Sequence, residues 1–317
     1  MPGNWLVTYP YRNDTLSSTA TTQQVQSRDL PRANMIGRVT FKIHIVGVGT
    51  PTLTLDRIQV RASGSVTLWQ TEGGQLRGIN KYQSGTANNG VLVSTTDLVW
   101  VGTINFGRGF HDEDMIFPAK GFKSVQVEFT YTPGATTSVT TVGLSMIVDE
   151  FVTDDDPKSK LIRRVILEKT RAAAAGIGKL EISPGLPIRA IFVHFDDPDN
   201  VNANTPFYGG TVASASPIRV VVNGGSEIPY AAPADLIKAS NQEVYGFDDA
   251  DTPDSELSNA AVFTGTEEMV CLDFDPRDDL TEVLDSSRMN TLEVEVEGAA
   301  SGTSGDVHVL TDAYMVL

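Results

Sequence analysis

The chain has 317 residues, 40% of them hydrophobic, one cysteine and a net charge of −16. That length suits two domains of about 140 residues, each able to bury its own core, and the lone Cys271 excludes a disulfide-stapled framework. No run approaches the roughly 18 apolar residues of a membrane span, and Met1-Pro2-Gly3-Asn4-Trp5 lacks the basic and apolar regions of a secretory signal.

In chain order, residues 1–29 are polar, and Thr15–Val25 follows neither a helical nor a strand period. They predict an extended arm that orders only against a partner. A first all-β domain is expected over 30–152. Val39, Phe41, Ile43 and Ile45 alternate with Thr40, Lys42 and His44, the mark of a half-buried strand. Leu53, Leu55, Ile58 and Val60 follow a Gly-Thr-Pro turn, and further strands are predicted near 97–106, 122–131 and 139–150. The segment 72–82 has room for one short helix, weakened by Gly73, Gly74 and Gly78.

The composition changes at Asp154-Asp155-Asp156-Pro157, a strong helix start with acids and proline in the first turn. Leu161, Ile162, Val165 and Ile166 then recur at helical spacing, and Gly176 is placed to stop the helix. A basic helical connector is therefore predicted over 153–179, of which residues 157–179 hold 7 basic residues and one acid. Its lysines and arginines either solvate a helix packed beneath the domains or meet an acidic neighbour, a lipid surface or a genome. The second domain, 180–317, holds 25 acidic and 5 basic residues. Such a surface repels phosphate, so nucleic-acid binding is not expected of it. Ile191, Val193 and Phe195 alternate there, Pro233–Val244 is the best helix candidate, and strands are predicted near 261–274, 289–297 and 306–316.

The halves echo one another. Ile58-Gln-Val-Arg-Ala-Ser-Gly64 is answered by Ile218-Arg-Val-Val-Val-Asn-Gly224, and Phe122-Lys-Ser-Val-Gln-Val-Glu-Phe129 by Met289-Asn-Thr-Leu-Glu-Val-Glu-Val296. Two echoes in the same order imply two β-domains of one plan, each an eight-stranded jelly roll of two packed sheets. On these strand-glycine units, the helix after the second of them, and the run from Arg163-Arg164 to Val193, the chain resembles the double jelly-roll major capsid proteins of tailless icosahedral, lipid-containing bacteriophages of the corticovirus and tectivirus kind. The resemblance implies a non-enzymatic coat protein, assembled in the host cytoplasm into the virion. It further implies a homotrimer with six barrels that tiles an icosahedral facet beside vertex proteins, and an internal membrane as a further partner. A carbohydrate-binding or carbohydrate-cleaving β-sandwich, or a minor vertex or spike protein, are the alternatives.

No catalytic, cofactor or metal residue is assigned. Glu293-Val-Glu-Val-Glu297 would place carboxylates about 6.6–7 Å apart on one strand face, nearer an inverting than a retaining glycosidase spacing. Gln126, Glu128 and Thr130 occupy the matching positions of the first copy, so a solvated face is expected. Asp248-Asp-Ala-Asp-Thr-Pro-Asp-Ser-Glu256 and Asp196-Asp-Pro-Asp-Asn200, in the loops 196–216 and 246–262, offer oxygens that suit calcium. They lack the glycine and terminal glutamate positions of an EF-hand, so they read as solvated loops. His44, His111, His194 and His308 show no metal-ligand spacing.

Overall fold

The computed structural model describes residues 4–19, 21–84, 91–108, 111–135, 137–153, 160–172, 176–196, 217–246, 269–277, 280–298 and 306–316. The chain forms two compact units, the first from residues up to Arg164 and the second mainly from Val165 onward. In the first lie β1 (Asn4–Leu16), β2 (Gln24–Asp29), β3 (Met35–Val48), β4 (Pro51–Ala62), β5 (Val66–Thr71), α1 (Gly73–Ser84), β6 (Val91–Ser94), β7 (Asp97–Asn105), β8 (Val125–Ala135) and β9 (Ser138–Val152). β10 (Leu161–Ala172) begins in the first unit and continues into the second. There β11 (Gly176–Ile182), β12 (Pro187–Asp196), β13 (Pro217–Val222), β14 (Glu227–Pro233), α2 (Ala234–Tyr245), β15 (Met269–Asp273), β16 (Leu284–Asp285), β17 (Leu292–Gly298) and β18 (Asp306–Val316) follow.

Strand pairing shows one plan used twice. The first unit has sheets ordered β1-β9-β3-β7-β6 and β5-β4-β8-β2; the second has β10-β18-β12-β15 and β14-β13-β17-β11, with β16 also on β12. Exchanging β10 for β1, β18 for β9, β12 for β3 and β15 for β7 reproduces the first sheet. Exchanging β14, β13, β17 and β11 for β5, β4, β8 and β2 reproduces the second. Each unit is thus a jelly roll of two four-stranded sheets, with β6 and β16 as additions and one helix after the matching strands β5 and β14.

The two sequence echoes meet in one knot in each unit. After β4 the chain turns through Ser63 and Gly64 at φ 50° and 75°; after β13 it turns through Asn223 and Gly224 at 49° and 70°. The Ser63 amide donates to the Ser124 carbonyl at 2.7 Å, and the Ser63 hydroxyl accepts from the Lys123 amide at 3.1 Å. In the second unit the Asn223 amide donates to the Thr291 carbonyl at 3.0 Å, and its side-chain oxygen accepts from the Asn290 amide at 2.7 Å. The turn of one hairpin is therefore clasped to the start of the next strand in the same way twice. A Cβ added at Gly64 or Gly224 would meet nothing within 4 Å, so a side chain there is opposed by the left-handed backbone alone. Gly64→Ala and Gly224→Ala are each expected to cost roughly 1–2 kcal/mol in urea unfolding.

Two sequence expectations are corrected, and both for the same structural reason. The segment 153–179 forms no helix among its described residues: β10 and β11 occupy it. Helical spacing at Leu161, Ile162, Val165 and Ile166 misled because Ile162, Arg163, Val165 and Ile166 are all buried, which hides the period of 2. The β-branched residues Ile162, Val165, Ile166 and Thr170 suit a strand. The arm 1–29 is likewise ordered within its own chain, β1 on β9 and β2 on β8. Register shifts on either side of Tyr11, together with Asn13 at φ 53°, break the alternation of β1. Arm and connector are therefore counterparts, the opening strand pair of each jelly roll.

The cores lie between the sheets. Phe41 on β3 meets Phe129 on β8 with ring centroids 4.8 Å apart. In the second unit Ile191, Val193 and Phe195 pack with Ile218, Val220, Val294 and Val309, each such side chain contributing about 1.5–3 kcal/mol by burial. Tyr131 ties β8 to the β1–β2 connection through its hydroxyl, which donates to the Ser17 carbonyl at 2.8 Å. Burial pushes Tyr131 up to about 12, against smaller opposing effects of Arg28 and the Ser17 bond. An unfolded tyrosine ionises near 10, so this contribution to stability is complete below pH 10 and is lost as pH rises towards 12. Stability is expected to fall across that window, and less steeply in Tyr131→Phe, as read by melts alongside phenolate absorbance.

Candidate assembly surface

Glu293, Glu295 and Glu297 lie on the outer face of β17, while Leu292, Val294 and Val296 enter the core. Lys179 on β11 reaches Glu293 and Glu295 at 3.1 and 3.0 Å, and Arg219 on β13 reaches Glu295 at 3.9 Å. The two carboxylates share one ammonium, whose proton is held above the ordinary lysine range by their hydrogen bonds. Lys179 thus bridges Glu293 and Glu295, and Arg219 adds to Glu295, so charge pairs link β11, β17 and β13.

Two of the histidines lie apart and two meet. His44 Nε2 is 3.1 Å from the Asp97 carboxylate. Hydrogen bonds from Ser94, then Thr96 and His44, hold that carboxyl below the usual range. His111, at φ 58°, stacks on Trp5 with ring centroids 4.2 Å apart. His194 and His308 face one another across the β12–β18 pair at 5.4 Å, and His308 Nδ1 is 3.0 Å from the Thr170 hydroxyl. Among the described residues no group of three or more His, Cys, Asp or Glu is placed to hold a metal ion. The calcium candidates between 197 and 216 and between 247 and 262 lie outside the described residues.

Two arginines of the basic run are engaged by the fold, while Lys160, Lys169 and Lys179 are exposed. Arg163 is buried, its guanidinium donating to the Asn105 and Gly107 carbonyls at 3.1 Å each and sitting 5.4 Å over the Trp69 ring. Arg164 donates to the Thr67 carbonyl at 3.2 Å. Neither offers a free charge to a lipid or a genome.

Sheet edges differ in how they are covered. One is closed internally: the Asn241 side chain of α2 donates to the Cys271 carbonyl and accepts from the Cys271 amide, both at 3.0 Å, as a strand beside β15 would. The Cys271 thiol is pushed up by burial and then by Asp273, so it is an inert packing group. Among the described residues β1 and β14, by contrast, end their sheets and carry exposed apolar side chains: Leu6 at 45%, Val7 at 64% and Tyr9 at 43% on β1, and Ile228 at 52% on β14. Trp5 anchors the start of β1; its ring lies so close over Gly37 that a Cβ there would fall 2.5 Å from it. Reading residues 1–29 as a polar arm missed this surface, although Trp5-Leu6-Val7 with Tyr9 and Tyr11 is a strand-forming composition.

No family model matches the sequence, and no curated protein is similar enough to count as a relative. Solved structures do match over the full length. A chain from the atomic structure of Sulfolobus Turreted Icosahedral Virus aligns over 98% of this chain and 91% of its own, with TM-score 0.67 and 15% identity. The major capsid protein P2 from bacteriophage PM2 aligns over 98% of both chains, with TM-score 0.60 and 11% identity. A chain of the PBCV-1 virus capsid covers 99% and 94%, with TM-score 0.67 and 9% identity. At these identities the likeness is one of fold, and it spans both jelly rolls.

Proposed function

We propose that this chain is the major coat protein of an icosahedral virus. The observation that carries the reading is the end-to-end match of both units to P2, a major capsid protein, over 98% of each chain. The twofold wiring gives the reading its physical sense. Two like barrels in one chain let three chains present six near-equivalent bodies, and closed cyclic symmetry of that kind suits tiling of a facet. The working form is then a homotrimer in the virion shell, assembled in the host cytoplasm beside vertex proteins and over an internal membrane. Its jelly rolls run from β1 to β9 and from β10 to β18. The role is structural: on β17, Glu293 and Glu295 are paired with Lys179, and Glu295 also with Arg219.

Purified full-length chain is expected to sediment as a single species of three times the 34.1 kDa chain mass and to show a hexagonal outline by electron microscopy. A monomer that binds glycans on an array would overturn this in favour of a carbohydrate-binding sandwich.

A further inference from the structure

We infer that Asn223-Gly224 is a site of spontaneous covalent rearrangement, held shut by the clasp between the β13 turn and the start of β17. Asparagine followed by glycine is the pair most prone to this chemistry, because glycine has no side chain to hinder its own amide nitrogen. That nitrogen attacks the carbonyl carbon of the asparagine side chain. The N–Cγ bond forms, the Cγ–Nδ2 bond breaks, and ammonia leaves with the amide proton. Water then opens the resulting cyclic imide at one of its two carbonyls. Opening at Cγ gives aspartate; opening at the main-chain carbonyl gives isoaspartate, in which the backbone runs through the side chain. Water is the only co-reactant, and residues 223–226 are exposed to it.

The folded turn opposes the first step at both reacting groups. The Gly224 amide, which must give up its proton, donates to the Thr291 hydroxyl at 3.2 Å. The Asn223 side chain is drawn across to the neighbouring segment, where its oxygen accepts from the Asn290 amide at 2.7 Å and the Thr291 amide at 3.4 Å. The Asn223 amide donates to the Thr291 carbonyl at 3.0 Å, and its φ of 49° sets the turn in the left-handed region. All of these bonds join the turn to residues 290–291, so one local opening releases both groups together. Conversion then follows the fraction of molecules whose clasp is open. Isoaspartate adds an atom to the backbone between Asn223 and Gly224, which carries the Gly224 amide away from Thr291. The opening is thereby made irreversible.

The first unit meets the same structural need without this chemistry. Ser63 stands where Asn223 does, clasped through its amide and hydroxyl, and a hydroxyl offers the Gly64 nitrogen no carbonyl carbon to attack. Of the two matching turns, the one in the second jelly roll alone can age in this way.

The test follows residue 223 by peptide mapping of the full-length chain in warm neutral buffer, separately from the other Asn-Gly pair at 89–90. A synthetic peptide of residues 217–233 gives the unguarded rate. The folded chain is expected to convert at least about tenfold more slowly than the peptide; equal rates would overturn the guard. Thr291→Val removes the acceptor of the Gly224 amide and should speed conversion about fivefold, the weight of one ordinary hydrogen bond, while Thr291→Ser keeps the wild-type rate. An unchanged rate in Thr291→Val overturns the role given to the clasp. If that variant lacks a cooperative melt, wild-type chain in urea below its unfolding transition reads the same opening: conversion should climb with urea, and a flat rate counts against the inference. Asn223→Ser, which copies the first unit, should form no product at 223 and keep its melting behaviour through storage. The wild type should lose stability in step with isoaspartate, and unchanged melting of converted chains would overturn the irreversible step.

Discussion

Deleting residues 2–29 is expected to abolish folding of the first jelly roll. A detachable arm would predict an intact trimer that fails only in shell formation. The structure predicts otherwise, because the deletion removes β1 and β2 outright. It strips a long antiparallel partner from β9 and a second from β8, and it removes the buried Leu16 and the Trp5 ring packed on Met35, Ile116 and Phe151. It also takes away the Ser17 carbonyl that accepts from Tyr131. Burial of each large side chain is worth about 1.5–3 kcal/mol, and newly bared strand edges invite aggregation. A domain's whole stability is about 5–15 kcal/mol. The truncated chain should therefore be recovered as aggregate or lack one of two thermal transitions; a soluble product with both transitions and wild-type melting would contradict the assignment.

The second large effect concerns a buried charge pair. Arg189 on β12 donates to the Asp312 carboxylate on β18 at 3.1 Å, with both side chains nearly inaccessible. Desolvating two ions consumes most of what their attraction supplies, so the pair adds little net stability, yet removing one partner strands the other. Asp312→Ala is expected to destabilise the second unit by about 3–5 kcal/mol in urea unfolding. Arg189→Met/Asp312→Leu should recover most of that loss, since it removes both charges while keeping apolar volume. If the single variant costs nothing and the double variant costs much, the guanidinium is serving some partner other than Asp312.

What could be read from the residues follows a physical line. Strands with one buried face kept their period: β3, β7, β8, β9 and β17 fall where they were predicted, as does β18 although it is buried along nearly its whole length. Both helices were legible as well, α1 despite Gly73 and Gly78, with Gly73 allowing close approach to Leu55, and α2 ending at Gly246 in the left-handed conformation. The repeat itself was visible because the clasped turns demand similar residues, Ser63-Gly64 and Asn223-Gly224, at matching places. Hidden were the opening strands. β1 is an edge strand with bulges, so its burial is irregular; β10 is buried on both faces over its first half, and its arginines resembled a solvated helix face. Arg163 could not be recognised as a core residue, because its burial depends on two carbonyls some 56–58 positions away.

Native-state amide exchange on the full chain tests the central claim most directly, namely that each half is one jelly roll beginning at β1 and at β10. Amides of β1 that bond to β9, and those of β10 within its sheet, should exchange far more slowly than an unstructured chain, in step with their partners β9 and β18. Exchange of residues 4–16 at unprotected rates, with β9 still protected, would show that the first barrel closes without them and would break the correspondence between the two halves.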